Sequence, residues 1–227
     1  MKSQPSKGFY LVFEGGEGCG KTTQARLLVE RLRAEFSQRE IILTREPGGT
    51  FIGDEIRTIL LPHFPGEEEM EVITEVYLFA AARAESLRKE IRPALERGAV
   101  VIADRSVYSS LVYQGEAGGL GLEVVRKINE EAVGGILPDK VIFLDIEPEL
   151  GLARRGEDLN RLDRKELSYH RRVREAYRQL AREDPTQFII IDASPSIEVV
   201  QEIIWERLSL FVDNEIKREL KRGKERE

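Results

Sequence analysis

The sequence has little of what several large classes of protein require. It contains one cysteine and two histidines in 227 residues, which excludes an internal disulfide framework and indicates no histidine-rich metal site. No apolar run reaches membrane-spanning length, and the apolar stretch Phe9–Phe13 is too short for a signal peptide. The net charge is -6 and no basic stripe typical of nucleic-acid binding stands out. We therefore expect a cytoplasmic protein that binds neither nucleic acid nor membrane.

Five short apolar runs are present, and they do not alternate with polar residues. Strands that are buried on both faces of a sheet have this pattern. The runs are Phe9–Phe13, Ile41–Thr44, Ala99–Ala103, Val141–Leu144 and Phe188–Ile191. Amphipathic stretches that predict helices lie between them, at Thr22–Phe36, Val72–Arg97, Leu122–Val133 and Lys165–Glu183. Alternating strands and helices predict an α/β fold with a parallel sheet covered by helices on both faces.

Two charged segments stand out from this pattern, but neither marks a domain boundary. Gly151–Arg164 is highly charged and poor in apolar residues, which favours a mobile flap. Residues 213–227 mix both signs densely, which is typical of a solvated helix or tail. No internal repeat or low-complexity linker is present. We predict a single domain over residues 1–227.

The stretch EGGEGCGKTT carries the clearest chemical signal. Gly15 to Thr22 fits the pattern G-x-x-x-x-G-K-[ST], with a predicted buried strand before it and a predicted helix after it. In that context backbone N–H groups and the helix N-terminus surround phosphate oxygens, the lysine reaches the β- and γ-phosphates, and the threonine offers its hydroxyl to Mg²⁺. The predicted ATP-binding residues are Gly15, Gly16, Glu17, Gly18, Cys19, Gly20, Lys21, Thr22 and Thr23.

A phosphate-binding loop alone does not name a reaction. No Asn-Lys-x-Asp guanine reader follows a later strand, and the chain is short for a large ATPase. One such loop with a charged flap favours a kinase that acts on a small acceptor. A non-enzymatic P-loop switch module remains the alternative.

Four further motifs narrow the choice. Strand two ends in TREPGGT, strand three ends in DRS followed by VYSSLVYQG, a predicted helix carries TEVYLFAAARAESL, and the flap carries NRLDR. Together with the phosphate loop, this set resembles the bacterial thymidylate kinases, which are P-loop nucleoside monophosphate kinases. The resemblance extends from Phe9 to about Ser194.

The resemblance implies a reaction and an assembly. It implies transfer of the γ-phosphoryl group of ATP to dTMP, giving dTDP with Mg²⁺ as cofactor. It also implies a P-loop NTPase-type three-layer fold with a five-stranded parallel sheet, a short mobile lid at about residues 151–164, and a homodimer. A deoxynucleoside monophosphate kinase of broader specificity remains open, because the thymine methyl group contributes only about 1–3 kcal/mol of discrimination.

The resemblance also assigns residues to the acceptor nucleotide. Arg57 and Arg105 are expected at its 5′-phosphate, which an arginine can bind through two nitrogens. Phe79 and Arg83 lie four residues apart on one predicted helical face and are assigned to the thymine ring. Ser110 and Gln114 are placed at the base edge and Tyr113 at the sugar. The remaining dTMP contacts are Glu46 and Pro47 in the turn after strand two, and Glu17 at the 3′-hydroxyl group.

Charge neutralisation requires cations between the two anionic substrates. The flap contains four arginines: Arg154, Arg155, Arg161 and Arg164. Arg154 and Arg161 match the family best. The predicted catalytic residues are therefore Lys21, Arg105, Arg154 and Arg161. Thr22 and Asp104 are predicted to hold Mg²⁺, and Asp145, which follows another apolar strand, competes with Asp104.

Three departures from the family pattern concern the acceptor contacts and the lid. Ser106 stands where an aromatic residue usually follows Asp-Arg, Tyr108 stands where an aspartate often precedes the serine pair, and the lid looks short.

Overall fold

Five parallel strands form the centre of the computed structural model, which describes residues 8–61, 69–156 and 159–224. Their order across the sheet is β2-β3-β1-β4-β5, so β1 is central and the chain fills the sheet on both sides of it. The crevice at the carboxyl end of such a central strand is where α/β sheets bind ligands. The strands are β1 (Phe9–Glu14), β2 (Ile41–Arg45), β3 (Val100–Asp104), β4 (Lys140–Asp145) and β5 (Phe188–Asp192).

Helices follow the strands and cover both faces. They are α1 (Lys21–Glu35), α2 (Phe51–Leu60), α3 (Val72–Ser86), α4 (Arg92–Glu96), α5 (Val107–Ser110), α6 (Leu122–Val133), α7 (Pro148–Arg155), α8 (Leu167–Glu183) and α9 (Ile197–Lys224). A π-helical stretch at Leu87–Ile91 joins α3 to α4, and a second at Leu111–Ala117 follows α5. Within the described ranges, no helix is both long and apolar enough to cross a membrane.

The core lies on both faces of the sheet. Phe9, Leu11 and Phe13 of β1 are buried in one apolar cluster with α1 and α9. Tyr10 and Val12 belong to a cluster on the other face, with the π-helical stretch Leu87–Ile91 and α4. Since alternate residues of a strand point to opposite faces, a strand that is apolar throughout needs this cover on both sides. The predicted three-layer arrangement with a five-stranded parallel sheet is confirmed.

Every strand extends to a charged residue at its carboxyl end, beyond the apolar run that predicted it. These residues are Glu14, Arg45, Asp104, Asp145 and Asp192. The apolar runs therefore ended one residue early, because the last residue of each strand is charged; four of these residues are partly or largely exposed, whereas Glu14 is buried. The carboxyl edge of the sheet thus carries a row of ionisable groups where the functional site is expected.

The predicted flap and tail are partly helical. The first five flap residues, Gly151–Arg155, belong to α7, and α9 continues through Lys224. Residues 157 and 158 of the flap and residues 225–227 of the tail lie outside the described ranges. Movement of the flap stays a prediction.

Candidate active site

The phosphate loop connects β1 to α1 at the centre of the carboxyl edge. Its turns require glycine, since Gly15, Gly18 and Gly20 have φ angles of 146°, 67° and 92°. Helix α1 begins at Lys21, directly after Gly20. The buried Lys21 ammonium group donates to the carbonyl oxygens of Gly15 at 3.1 Å and Gly16 at 2.7 Å. The loop is therefore shaped so that a helix N-terminus and an ammonium group share one small volume.

Helix α7 packs backbone to backbone against this loop. A Cβ atom added to Gly18 would lie 1.8 Å from the carbonyl oxygen of Gly151, and one added to Gly151 would lie 2.3 Å from the carbonyl oxygen of Glu17. Only glycine fits at both positions. The start of the predicted flap is consequently held against the phosphate loop.

Thr22 and Asp104, the two residues predicted to hold Mg²⁺, contact each other, and the metal site itself stays a prediction. The Thr22 hydroxyl group, in the first turn of α1, donates to Oδ2 of Asp104 at the end of β3. Hydroxyl and carboxylate oxygens suit Mg²⁺, which usually takes one or two protein ligands and completes its shell with phosphates and water. The described residues contain no group of three or more histidine, cysteine or carboxylate side chains that could hold a metal ion by themselves.

Asp145, the competing candidate, has other partners. Its carboxylate accepts hydrogen bonds from Arg174 at 2.6 Å and from Arg178 at 2.7 Å. Both arginines are on α8. Asp145 thus serves to attach α8 to the end of β4, and Asp104 is the carboxylate beside the phosphate loop.

A cavity of about 870 Å³ joins the phosphate loop to the end of β3 and the segments around it. Most of the predicted site residues line it. They are Glu17, Gly18, Cys19, Gly20, Lys21, Thr22, Thr23, Glu46, Pro47, Arg57, Phe79, Arg83, Asp104, Arg105, Ser110, Tyr113, Gln114 and Arg154. Gly15, Gly16 and Arg161 are not among the lining residues.

The Glu17 side chain, in the phosphate loop, contacts a cationic and a hydrogen-bonding group from the segment after β3. Its Oε1 accepts from Arg105 Nη2 at 2.8 Å and from the Tyr113 hydroxyl group at 2.7 Å. Burial by itself would raise the pKa of Glu17, but the charges of Arg105 and Lys21 and the Tyr113 hydrogen bond outweigh it and lower the pKa from 4.5 to about 2. Glu17 is therefore a carboxylate at neutral pH, and its side chain is directed from the phosphate loop toward Arg105 and Tyr113.

This pKa predicts an acid-dependent contribution to stability. A carboxyl group whose folded-state pKa is depressed stabilises fully above its unfolded pKa, near 4.5, and loses that contribution as pH falls toward 2. Between pH 6 and pH 3, wild type should lose about 2 kcal/mol more free energy of unfolding than Glu17→Gln. Urea unfolding at both pH values measures this. Glu116→Gln, at an exposed position of the same helical stretch as Tyr113, is the matched control; equal losses in wild type and Glu17→Gln would contradict the prediction.

Arg105 occupies a strained position immediately after β3. It is the non-glycine residue with a positive φ angle in the described ranges, at 79°, and such a conformation persists only where its surroundings enforce it. Its Nη1 donates to Gly15 O and to Ser109 Oγ, each at 3.2 Å. The guanidinium group also lies 5.0 Å from the ring centroid of Tyr113. The strained backbone directs a fixed cation from the end of β3 back toward the phosphate loop.

Arg83 is buried and bound on several sides. Its Nε donates to Glu46 Oε2 at 2.8 Å, and both side chains are 4% exposed or less. Nη1 donates to Asn129, and Nη2 to Ser110 Oγ at 3.1 Å. Burial raises the pKa of Glu46, with Arg83 counteracting that rise. Arg83 thus forms a rigid donor at the wall of the cavity, held by the turn after β2 and by α6.

Arg57 lies at the edge of the same region. Its Nη1 donates to the carbonyl oxygen of Pro47 at 3.0 Å, which ties α2 to the turn after β2. Burial lowers the pKa of Arg57, and the nearby charge of Arg45 lowers it further. A cation beside other cations favours an anionic ligand at this end of the cavity.

Three of the four flap arginines divide into two groups, and the fourth, Arg164, donates to the carbonyl oxygen of Leu159. Arg154 and Arg155, consecutive at the end of α7, both line the cavity. Arg154 donates to the carbonyl oxygens of Ala193 and Ser194, each at 2.8 Å. Arg161 instead contacts Glu75 and donates to the carbonyl oxygen of Leu60. The structure therefore brings Arg154 to the site as predicted, adds Arg155, and places Arg161 behind the cavity wall.

Glu14 is a supporting residue for which the sequence analysis proposed no role. Its buried carboxylate accepts hydrogen bonds from the Ser106 amide and hydroxyl groups, each at 2.8 Å, and from the Ser109 and Tyr177 hydroxyl groups, each at 2.7 Å. Ser109 in turn accepts from Arg105. A carboxylate at the end of an apolar run, directly before the phosphate loop, was the available signal.

Glu14 also accounts for one departure from the family pattern. Ser106 lines the cavity while its side chain bonds to Glu14 and accepts from the Tyr108 amide to begin α5. Tyr108 packs edge-on against Phe188, 5.0 Å between ring centroids, and its hydroxyl group donates to Gln187. Ser106 therefore supports the segment after β3, and the Tyr108 side chain faces β5.

Comparisons with known proteins agree with this geometry. A family model described as thymidylate kinase matches residues 13–204. The chain is 51% identical to a thymidylate kinase of Symbiobacterium thermophilum over 86% of this chain and 90% of that protein. It is 42% identical to one of Caldanaerobacter subterraneus subsp. tengcongensis over 91% of this chain and 97% of that protein.

A solved structure extends the comparison to the fold. The crystal structure of a thymidylate kinase from Ehrlichia chaffeensis superposes with a TM-score of 0.72 at 27% identity, over 89% of this chain and 99% of that one. The sequence motifs, the carboxyl-edge cavity and these similarities agree with one another. The chain belongs to the thymidylate kinase family.

Proposed function

We propose that this chain transfers the γ-phosphoryl group of ATP to the 5′-phosphate of dTMP, giving ADP and dTDP, within a single kinase domain of residues 1–227. The observation that carries the proposal is the continuous cavity with a phosphate loop at one end and three arginines and a buried glutamine at the other. The thymidylate kinases that this chain resembles support dTMP as the acceptor.

The donor end serves ATP. The loop amides and the N-terminus of α1 bind phosphate oxygens, and the Lys21 ammonium group neutralises charge that develops on the transferring group. Thr22 and Asp104 would hold Mg²⁺, which when bound neutralises the β- and γ-phosphate oxygens. Because phosphoryl transfer requires positioning and charge neutralisation more than covalent help, this end needs no nucleophilic side chain.

The acceptor end serves dTMP. Arg57 and Arg105 hold the 5′-phosphate between them, and Arg105 also separates its charge from that of the donor. Phe79 stacks on the base, while Arg83 offers a donor to a base carbonyl group. Tyr113 packs against the sugar. The carboxylate of Glu17, fixed by Arg105 and Tyr113, accepts a hydrogen bond from the 3′-hydroxyl group.

The predicted lid belongs to the same proposal. Residues 151–164 would close over the donor phosphates and bring arginine charge to the transferring group, which also excludes water. Arg154 and Arg155 support this role by their place on the cavity wall. The ATP requirement and the single cysteine support a cytoplasmic location.

A coupled ADP-release assay with dTMP, dUMP, dCMP and UMP tests the proposal. We expect the highest kcat/KM with dTMP, weaker use of dUMP, and little use of dCMP or UMP. A preference for a cytidylate would overturn the proposal. Equal use of all the deoxynucleotides would replace it with a kinase of broad specificity.

We also propose a homodimer formed through α2 and α3. These adjacent helices expose apolar side chains that a monomer would leave in water, with Phe51 78% and Tyr77 60% exposed. Ile52, Ile59 and Ile73 are exposed on the same two helices. Large apolar side chains exposed on two helices that pack together are typical of an interaction site.

Light scattering during size-exclusion chromatography tests the dimer. We expect wild type near twice the 25.9 kDa chain mass, and Phe51→Glu shifted toward the monomer. Leu210→Glu, at a 71% exposed leucine of α9, is the matched control and should remain dimeric. A monomeric wild type would refute the proposal.

A further inference from the structure

The orientation of the Gln114 side chain is fixed by its neighbour. Gln114 lies in the π-helical stretch after α5, is 1% exposed and lines the cavity. Its Nε2 donates to Glu75 Oε2 at 3.1 Å. Because an ionised carboxylate can only accept hydrogen bonds, the amide must turn its NH₂ group toward Glu75. The amide oxygen is then the acceptor that Gln114 can offer to a ligand in the cavity.

Glu75 is itself held in place by an arginine. It lies on α3 and is 5% exposed. Its other oxygen, Oε1, pairs with Arg161, whose side chain is 12% exposed. Arg161 is anchored in turn by the carbonyl oxygen of Leu60, with its Nε at 3.2 Å and Nη2 at 3.1 Å. A buried carboxylate is tolerated when such a cation compensates its charge.

The cavity wall consequently presents a donor beside an acceptor. Arg83, the donor, bonds to Ser110 at 3.1 Å, and Ser110 lies four residues, about one helical turn, before Gln114. A base that presents a carbonyl oxygen beside a ring N–H group complements this pair. Thymine and uracil do so through O4 and N3–H, whereas cytosine presents an amino group and an unprotonated N3 at the same edge.

We propose that Glu75 is a positioning residue that determines which class of base the site accepts. By orienting the Gln114 amide, Glu75 selects bases with a protonated N3. Arg161 holds Glu75 in place through its ion pair with Oε1. Arg161 thus belongs to acceptor selection, although it comes from the segment predicted as the lid. This inference rests on the proposed kinase activity and assigns a role to two side chains outside the substrate contacts.

The test is the substrate profile of Glu75→Gln. A neutral amide at position 75 can donate as well as accept, so Gln114 is free to turn its NH₂ group into the cavity. We expect kcat/KM for dTMP and dUMP to fall together by about tenfold or more. A Gln114 amide that turns its NH₂ group toward the N3–H group places two donors against each other, and a site built to hydrogen-bond its substrate loses much activity when that bond cannot form. The dTMP:dCMP ratio should fall by about the same factor, while the dTMP:dUMP ratio stays unchanged.

Two controls separate orientation from a general structural role. Glu85→Gln makes the same chemical change on the same helix, where Glu85 pairs with Lys89 away from the cavity, and should leave the profile unchanged. In a Gln114→Met background there is no amide to orient, so Glu75→Gln should not change the dTMP:dCMP ratio further. Ratios between substrates do not depend on the fraction of enzyme that is folded.

Three outcomes decide the matter. An equal fall for dTMP, dUMP and dCMP would overturn the positioning role. A wild-type enzyme that does not phosphorylate dTMP would instead overturn the proposed function. Arg161→Met should lower the dTMP:dCMP ratio with a change mainly in KM; a loss confined to kcat, with the ratio intact, would place Arg161 at the transferring phosphoryl group and remove it from this inference.

Discussion

Lys21→Met is expected to lower kcat for dTMP phosphorylation by about 10²–10³-fold, the usual loss when one preorganised group that stabilises transition-state charge is removed. Methionine keeps most of the length of the side chain and removes its charge. The ammonium group is buried within the phosphate loop, 2.7 Å from the Gly16 carbonyl oxygen, where little water can replace it. Steady-state kinetics under saturating ATP and dTMP measure the effect.

The Lys21 prediction has a matched control. Lys127→Met makes the same substitution at an exposed position of α6 and should leave kcat unchanged. Circular dichroism should show equal helix content in both variants. A Lys21→Met enzyme with nearly wild-type kcat would mean that the loop binds phosphate without assisting the transfer.

Arg105→Met is expected to lower kcat/KM for dTMP by about 10²–10³-fold, because it removes the cation between donor and acceptor and leaves the Glu17 carboxylate without its ion-pair partner. That carboxylate would then repel the acceptor phosphate. The free energy of unfolding should fall by about 1–3 kcal/mol, less than for a fully buried ion pair, because the Arg105 and Glu17 side chains are 18% and 10% exposed. Arg105→Lys should recover part of the stability and little of the activity, since lysine cannot reproduce the contacts of a planar guanidinium group.

A structural arginine provides the comparison for Arg105. Arg88 donates to the carbonyl oxygens of Glu131 and Ala132, which joins the first π-helical stretch to the end of α6. Arg88→Met should reduce stability and leave kcat/KM for dTMP near wild type. If Arg105→Met behaved in the same way, Arg105 would be a structural residue and the acceptor phosphate would bind elsewhere.

The sheet and the phosphate loop were predictable because each depends on local chemistry. A strand buried on both faces must be apolar throughout, so β1 and β4 can be recognised in the sequence as runs of apolar residues. The charged residue that ends each strand was outside those runs. Its environment is set by neighbours far along the chain, such as Tyr177 for Glu14, and a run of sequence does not report them.

The flap shows the limit of assigning arginines by resemblance. The resemblance favours Arg154 and Arg161 over Arg155, yet the structure places Arg155 beside Arg154 on the cavity wall and Arg161 away from it. Their positions depend on where α7 ends and on which partner each guanidinium group finds. Arg161 finds Glu75, a carboxylate that the sequence places in an ordinary helix and that only packing reveals as buried.

The close approach of Gly18 and Gly151 restricts which substitutions the protein can tolerate at these two positions. A Cβ atom added at Gly18 would meet the backbone of Gly151, and one added at Gly151 would meet the backbone of Glu17. Because both contacts are with backbone atoms, no side-chain substitution nearby can make room. A second substitution therefore cannot rescue Gly18→Ala or Gly151→Ala, and the two positions cannot covary. Variants at position 151 should therefore have a displaced phosphate loop, whatever residue stands at position 18.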